Sequence, residues 1–421
     1  MKSIANSIAR LERLIRRITD QPEPTIQSGP IDDLGRATLF YVANLGGAIL
    51  SGEDSKEYAQ IIDALLKAVD SEENISREEV TDYVNTSILS AIDPQKTESE
   101  TTFESRVRTG METLQSKLKG STSPWQIHYR IYGVAPAGLP YSFGPAEFYY
   151  GDEATIGARA AQMGITDGEA IHQIEERILN RVAARVMADV IDYRAAQRLA
   201  RRLMTLVTDV LNFYGNLSND VLCQIGLVED TAHAYGFAHE PAGNFHATSE
   251  NLRPKKPFEF SKASVLPGFQ RASQLLIKPN LSKLEDKLLA SLQWAGRASV
   301  NSRREEAFLL FAIALEGLVL TDEKNEVTEK IATRGARLVV KPEKRRKAYD
   351  DLKDLYQIRS RIVHSGHFEV STGELEQIGF FAKAAILIIL ANPDFATMSQ
   401  KDLSDWFTDR SLGATRREDW C

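Results

Sequence analysis

The chain has 421 residues, 43% of them hydrophobic and 26% charged, with 26 Gly and 15 Pro. These proportions exclude a disordered chain, a collagen and a simple coiled coil, and the length suggests two to four domains at roughly 100–200 residues each. The net charge of −7 argues against a general nucleic-acid coat protein, and two cysteines far apart in sequence, Cys223 and Cys421, exclude a disulfide framework or a Cys-based zinc site.

Residues 1–120 read as an acidic helical region. Ile4, Ile8, Leu11, Ile15 and Ile18 recur at helical spacing, which predicts an amphipathic helix over 3–19 and not a signal peptide. Further helices are expected near 35–50, 56–70, 76–92 and 103–119, with Ser76 and Glu79 spaced as a capping box. The run Gly120-Ser-Thr-Ser-Pro124 marks a boundary.

Residues 121–280 read as an α+β region. Trp125 to Tyr132 alternates apolar and polar, as a half-buried strand does, and residues 146–150 suggest a second strand. One helical stretch is expected over about 168–214. Short strands are expected at 221–228 and 263–266, with a loop from 239 to 257.

Residues 281–421 return to helix, with expected helices near 281–298, 302–321, 326–340, 343–364 and 371–391. Pro342 suits a first turn, Gly366 a C-terminal stop, and Ser371 with Glu374 a second capping box. The longest apolar run, 380–390, carries Lys383 and falls short of the roughly 18 residues a membrane span needs. The expectation is a soluble, cytoplasmic protein, mainly α with an α+β middle region and no membrane partner.

Phosphate loops, dinucleotide fingerprints, zincin motifs and nucleophile elbows are absent. His233, His239 and His246, with Asp230 and Glu240 nearby, could be imagined as a metal-dependent hydrolase site. Their spacing matches no helical face and no familiar ligand set, so no metal and no cofactor are expected. His128 falls on the strand face shared with Gln126 and Arg130, where exposure is the expectation. His172 lies early in a helix.

Charge is concentrated in residues 330–365, which hold eleven Lys or Arg against Glu343, Asp350, Asp351 and Asp354. A cationic stretch on an acidic chain fits an anionic ligand held in one place, or simply a solvated helix face. This stretch ends in Leu355-Tyr-Gln-Ile-Arg359-Ser-Arg-Ile-Val-His364-Ser-Gly-His367. A permanently charged guanidinium beside an imidazole suits phosphodiester chemistry. The imidazole exchanges a proton with a ribose 2′-OH or a leaving 5′-oxygen, and the guanidinium stabilises the phosphate. Positions 359 and 364 stand about 140° apart on an ideal helix, so one helix does not aim both at one point. Either the helix frays near Gly366 or a second copy completes the site. Alternatively, Arg359 makes an ion pair and His364 decorates a helix end.

The run from Leu355 to Gly366 resembles the R-x4-6-H motif of the HEPN superfamily (higher eukaryotes and prokaryotes nucleotide-binding), and is especially similar to its Apea-like branch. Upstream, Phe311-Ala-Ile-Ala-Leu-Glu316-Gly-Leu318 resembles that branch's Ala-Leu-Glu helix, and Lys330-Ile-Ala-Thr-Arg334 the helix between them. The likeness spans residues 281–392. It implies a C-terminal HEPN-type helical bundle within residues 281–421 that dimerises and brings two motifs into one cleft.

The resemblance further implies a metal-independent endoribonuclease of toxin, abortive-infection or antiphage type. Arg359 and His364 are its catalytic pair. Ser360 bonds phosphate or orients the pair, and Glu316 fixes Arg359 or His364. Arg361 and Lys353 are the expected RNA contacts. Ser365 departs from the family's common Gly, and His367 lies beyond the motif. The implied partners are RNA, a second copy, and a phage-derived or nucleotide trigger sensed by the middle region. The alternative is a non-catalytic module binding nucleotide, RNA or protein.

Overall fold

A computed structural model describes residues 2–19, 38–40, 48–50, 52–68, 75–92, 103–118, 122–162, 164–217, 222–228, 235–239, 245–249, 256–320, 327–365 and 369–411. The chain is mostly helical with a small sheet in its middle. It divides into two compact units, Met1–Ile127 with Met187–Arg201, and His128–Val186 with Arg202–Cys421.

The first unit begins with helix α1 (Lys2–Thr19), which buries Ile4, Leu11, Leu14 and Ile15 on one stripe. Strands β1 (Thr38–Phe40) and β2 (Ala48–Leu50) pair antiparallel. They replace the helix expected over 35–50, where the Gly46-Gly47 pair disfavours helix. Helices α2 (Gly52–Ala68), α3 (Arg77–Ile92) and α4 (Phe103–Leu118) follow. Ile61, Leu65, Val80, Val84 and Leu114 join the α1 stripe in one core. Ser76 accepts the Glu79 amide at 2.9 Å, as a helix cap does. Its own amide donates to Asp192 Oδ2 at 2.7 Å, so a distant carboxylate completes the cap.

Strands β3 (Ser123–Tyr132), β4 (Tyr141–Phe143) and β5 (Ala146–Tyr150) precede helices α5 (Glu153–Gln162) and α6 (Gly168–Ile178). Strand β6 (Val182–Val190) then separates α6 from helix α7 (Tyr193–Gly215), where a single helical stretch was expected. Asn180 takes the left-handed conformation at φ 57° and stops α6. Ala183, Ala184, Val186 and Ala188 are all buried in β6, so tertiary burial overrides the helix propensity of an Ala-rich run. Strand β7 (Gly226–Leu227) completes a five-stranded sheet of order β4-β5-β6-β3-β7.

Strands β8 (Tyr235–His239) and β9 (Phe245–Ser249) form a hairpin within the expected loop. Helix α8 (Phe260–Ala263) and the turn after it replace the strand expected at 263–266, with the Ser264 amide bonded to the Phe260 carbonyl and the Leu266 amide to the Ala263 carbonyl. Helix α9 (Phe269–Ile277) follows. Phe148 and Phe143 on one sheet face pack at a tilt against Phe260 and Phe269, at centroid distances of 5.0 and 4.7 Å. Asn212 and Asn216 act as strand surrogates: their side-chain amides pair with both backbone groups of Ile225 and Cys223.

The C-terminal helices are α10 (Lys283–Val300), α11 (Arg304–Val319), α12 (Val327–Val339), α13 (Arg345–Ser365) and α14 (Thr372–Ala391). A 3-10 turn, Pro342–Lys344, leads into α13. Two short helices beyond the expected set follow, α15 (Pro393–Thr397) and α16 (Gln400–Ser411). Ser282 with Glu285 and Ser371 with Glu374 both form complete capping boxes. Helix α11 packs against α10, α12, α13 and α14 and is buried along most of its length. Lys383 of α14 is buried and donates to the Asn216 carbonyl at 2.5 Å; burial lowers it to about 8. No helix among the described residues is long and apolar enough to cross a membrane.

Helices α7 and α10 touch closely at Gly296, where a Cβ would overlap the Asp209 carbonyl oxygen. Arg297 Nε meets Asp209 Oδ2 at 2.7 Å in the next position. Gly296→Ala is expected to lower stability by about 1–3 kcal/mol, the typical cost of overpacking, as measured by urea denaturation. An unchanged midpoint would show that the two helices part freely.

Candidate functional site

Helix α13 forms because apolar positions recur on one face: Ala348, Leu352, Leu355, Tyr356 and Ile362 are buried, while Lys353, Gln357, Ser360, Arg361 and His364 are exposed. Two contacts set its register against α11. Tyr356 Oη donates to the Ala312 carbonyl at 3.0 Å, fully buried, and burial holds its phenol well above the usual value. One turn further along both helices, Arg359 Nε lies 3.2 Å from Glu316 Oε1.

That pair is close but poorly aligned: Glu316 Oε1 is buried and accepts no well-directed hydrogen bond. Burial raises the Glu316 carboxyl above its usual value, against the lowering pull of Arg359. Desolvation therefore outweighs attraction at this carboxylate. Arg359 keeps 35% of its side-chain exposure, and no second partner of its guanidinium is found among the described residues.

His364 stands in the last turn of α13 and is exposed, with no hydrogen bond or ion pair found among the described residues. Lys353, Ser360 and His364 lie within about 40° of one another around the helix, so they form one exposed stripe. Arg361 flanks the stripe. Its charge helps hold Glu374 below the usual carboxylate range, after the Ser371 hydroxyl and backbone amide. Arg359 faces the other way, toward α11. The structure thus brings together Arg359 with Glu316, and Lys353 with Ser360 and His364, but does not bring Arg359 to His364 within one chain.

Lys353 is already engaged. Its Nζ sits 3.6 Å from Glu329 and 3.4 Å from Tyr349 Oη, and Tyr349 donates to Glu329 at 2.6 Å. Tyr349, with Glu329, raises the Lys353 pKa. A cavity of about 190 Å³ lies between α12 and α16, lined by Lys330, Arg334, Arg337 and Thr408 among others. It includes no residue of 353–365. His367 lies outside the described residues.

No group of three His, Cys, Asp or Glu suited to a metal ion occurs among the described residues. His233, Asp230 and Glu240 lie outside the described residues, while His239 and His246 occupy β8 and β9 without facing each other in register. His172 is exposed near Glu175 and Glu176.

His128 departs from expectation. It is half-buried, its Nδ1 lies 2.7 Å from Tyr149 Oη, and burial with the Arg159 and Arg185 charges lowers it to about 4. Sequence alternation placed His128 and Arg130 on one face, but could not bring Tyr149 across from another strand. Tyr356 was likewise visible in the motif without its role, because its acceptor is a backbone carbonyl.

No family model matches the chain, and no curated protein or solved structure matches it either.

If burial dominates at Glu316, the wild type should lose stability relative to Glu316→Gln as pH rises from 4.5 toward 7, because the folded carboxyl holds its proton more tightly than the unfolded one. At pH 7 the substitution should change stability by no more than about 1 kcal/mol, since Arg359 is partly exposed to solvent. Chemical denaturation at several pH values measures this. A wild type that gains on the variant as pH rises would show instead that the ion pair prevails.

Proposed function

We propose that the chain is a metal-independent endoribonuclease of HEPN type, acting as a homodimer in which Arg359 and His364 of two copies meet at one phosphodiester. The observation that carries this reading is the state of the two side chains. His364 is exposed at the end of α13, and Arg359 is held through Nε while its terminal nitrogens have no described partner. A guanidinium held in this way can offer two N–H groups to phosphate.

In the proposed reaction an imidazole takes the ribose 2′-OH proton and the 2′-oxygen attacks phosphorus. The bond to the 5′-oxygen breaks, and that oxygen receives a proton from an imidazolium. The products are a 2′,3′-cyclic phosphate and a 5′-OH. Arg359 stabilises the charge that builds on the phosphate. Glu316 and Tyr356 are positioning residues: they fix how far Arg359 turns from α11. Two further features support a paired arrangement. The 140° separation leaves one chain with half a site, and Val363, next to His364, is 51% exposed although apolar.

Purified protein incubated with RNA in EDTA should yield these ends. Arg359→Ala and His364→Ala should each lower the rate by about 100-fold or more while circular dichroism stays unchanged, as removal of an acid–base or oxyanion group does. Cleavage that persists in both variants removes the nuclease reading. RNA bound but left intact, with an activating ligand present, favours the non-catalytic module.

A further inference from the structure

Arg337 lies on α12 and lines the cavity between α12 and α16, with Thr333 one turn before it and Phe407 and Thr408 on the facing helix. It is half-buried, and its Nη1 makes only a long contact, 3.5 Å, to the Phe407 carbonyl. Arg345, the first residue of α13, stands beside it. Burial, and then the charge of Arg345, hold Arg337 below the usual guanidinium value. Arg345 is half-buried as well, and its buried Nε meets no acceptor among the described residues. No ion pair of either guanidinium is found among the described residues. Two like charges drawn together out of water cost free energy unless an anion joins them.

The other charges around the cavity are already in use. Glu329 accepts from Tyr349 Oη at 2.6 Å and lies 3.6 Å from Lys353 Nζ. It sits two turns before Arg337, about 12 Å along α12, at the far end of the cavity. Arg334 donates to the Val319 carbonyl at 3.0 Å, and its guanidinium stands over the Phe407 ring. Lys330 has a partner of its own. What is left is the Arg337–Arg345 end. The chain around Arg345 adds an attractive field for anions: Lys341, Lys344, Arg346 and Lys347 are exposed, against Glu343 alone.

We propose that Arg337 and Arg345 hold the terminal phosphate of a small ligand at this end of the α12–α16 cavity, with the body of the ligand lying toward Thr333 and Thr408. Two guanidiniums from different helices need an anion with acceptor oxygens on more than one side. A carboxylate offers two oxygens in one plane, which a single fork takes up. A terminal phosphate offers three, set tetrahedrally, so each guanidinium finds its own. A bridging phosphodiester has two free oxygens and continues on both sides, which suits an open groove better than a cavity of about 190 Å³. The two threonine hydroxyls donate or accept, and so suit a ligand body that carries hydroxyls. The site includes neither Arg359 nor His364, so it stands whether or not the chain cleaves RNA.

The test is isothermal titration of the full-length protein at pH 7 and fixed ionic strength, with inorganic phosphate and then with ribose 5-phosphate. Saturable binding of at least one is expected, with a rise in the thermal unfolding midpoint. Arg337→Gln and Arg345→Gln should each weaken it about tenfold or more, the loss of one charge-assisted donor group. Arg346→Gln, at an exposed neighbour paired with Asp350, should leave it unchanged. Arg337→Lys should weaken it too, because an ammonium keeps the charge and loses the fork. Tighter binding of ribose 5-phosphate shows that the phosphate arrives on a small molecule, and equal binding that the free ion is the ligand; both support the site. Phosphorus NMR of the wild type, through line broadening that saturates, gives a readout that needs no variant to fold. Three results each overturn the proposal: no binding of either probe up to about 10 mM, full binding in both Arg337→Gln and Arg345→Gln, or an equal loss in all three Gln variants, as a general basic surface would give.

Discussion

Helix α13 is locked to α11 by one buried hydrogen bond, Tyr356 to the Ala312 carbonyl, with the Arg359–Glu316 pair one turn beyond it. The Tyr356 phenol has no water to fall back on, so a shift of α13 along α11 would strand a buried polar group. This fixes the rotation of α13, and rotation decides which side chains are offered to solvent. Arg359 is turned inward to a carboxylate, while Lys353, Ser360 and His364 run along the outer stripe. The proposed composite active site follows from that geometry: one helix with a fixed rotation exposes half of what the chemistry needs.

The cationic stretch 330–365 is less of an open patch than its composition suggests. Lys353 is tied to Glu329 and Tyr349, Arg346 pairs with Asp350 one turn on, and Arg334 reaches the Val319 carbonyl at the end of α11. The exposed pairs among these, at Lys353 and Arg346, contribute little to stability. The basic charge therefore remains usable, but it is spread over the α12–α16 cavity and the α13 stripe. The polar sheet face differs in kind. There two guanidiniums, Arg159 and Arg185, meet the Glu147 carboxylate in a partly buried setting, where charge is felt more strongly than at the surface.

How much of this could be read from the sequence depended on whether the controlling interaction was local. The helices α10 to α14 and the Ser371 capping box of α14 were legible because apolar spacing and Ser-x-x-Glu are local patterns; the Ser282 box of α10 went unread. Strand β3 was legible from alternation. Strand β6 was not: Val182-Ala-Ala-Arg-Val-Met-Ala-Asp-Val reads as helix, and becomes a strand because it lies between two others in the sheet. The pairing of β1 with β2 was missed because it too is a contact between separate segments. At the candidate site the residue types and the 140° offset were legible, and so was Glu316 as one option for a partner. That Glu316 takes Arg359, that Tyr356 fixes the register, and that His128 sits under Tyr149 all rest on contacts across elements, which spacing cannot supply.

The account rests on two copies of α13 closing on a single ribose–phosphate linkage. The most direct measurement is an experimental structure of the assembled particle, read for the separation of its two His364 imidazoles. A separation from a few ångströms to about ten is expected, since acid and base must reach one scissile phosphate. A particle that is monomeric, or one that holds the two rings far apart on opposite sides, would contradict it.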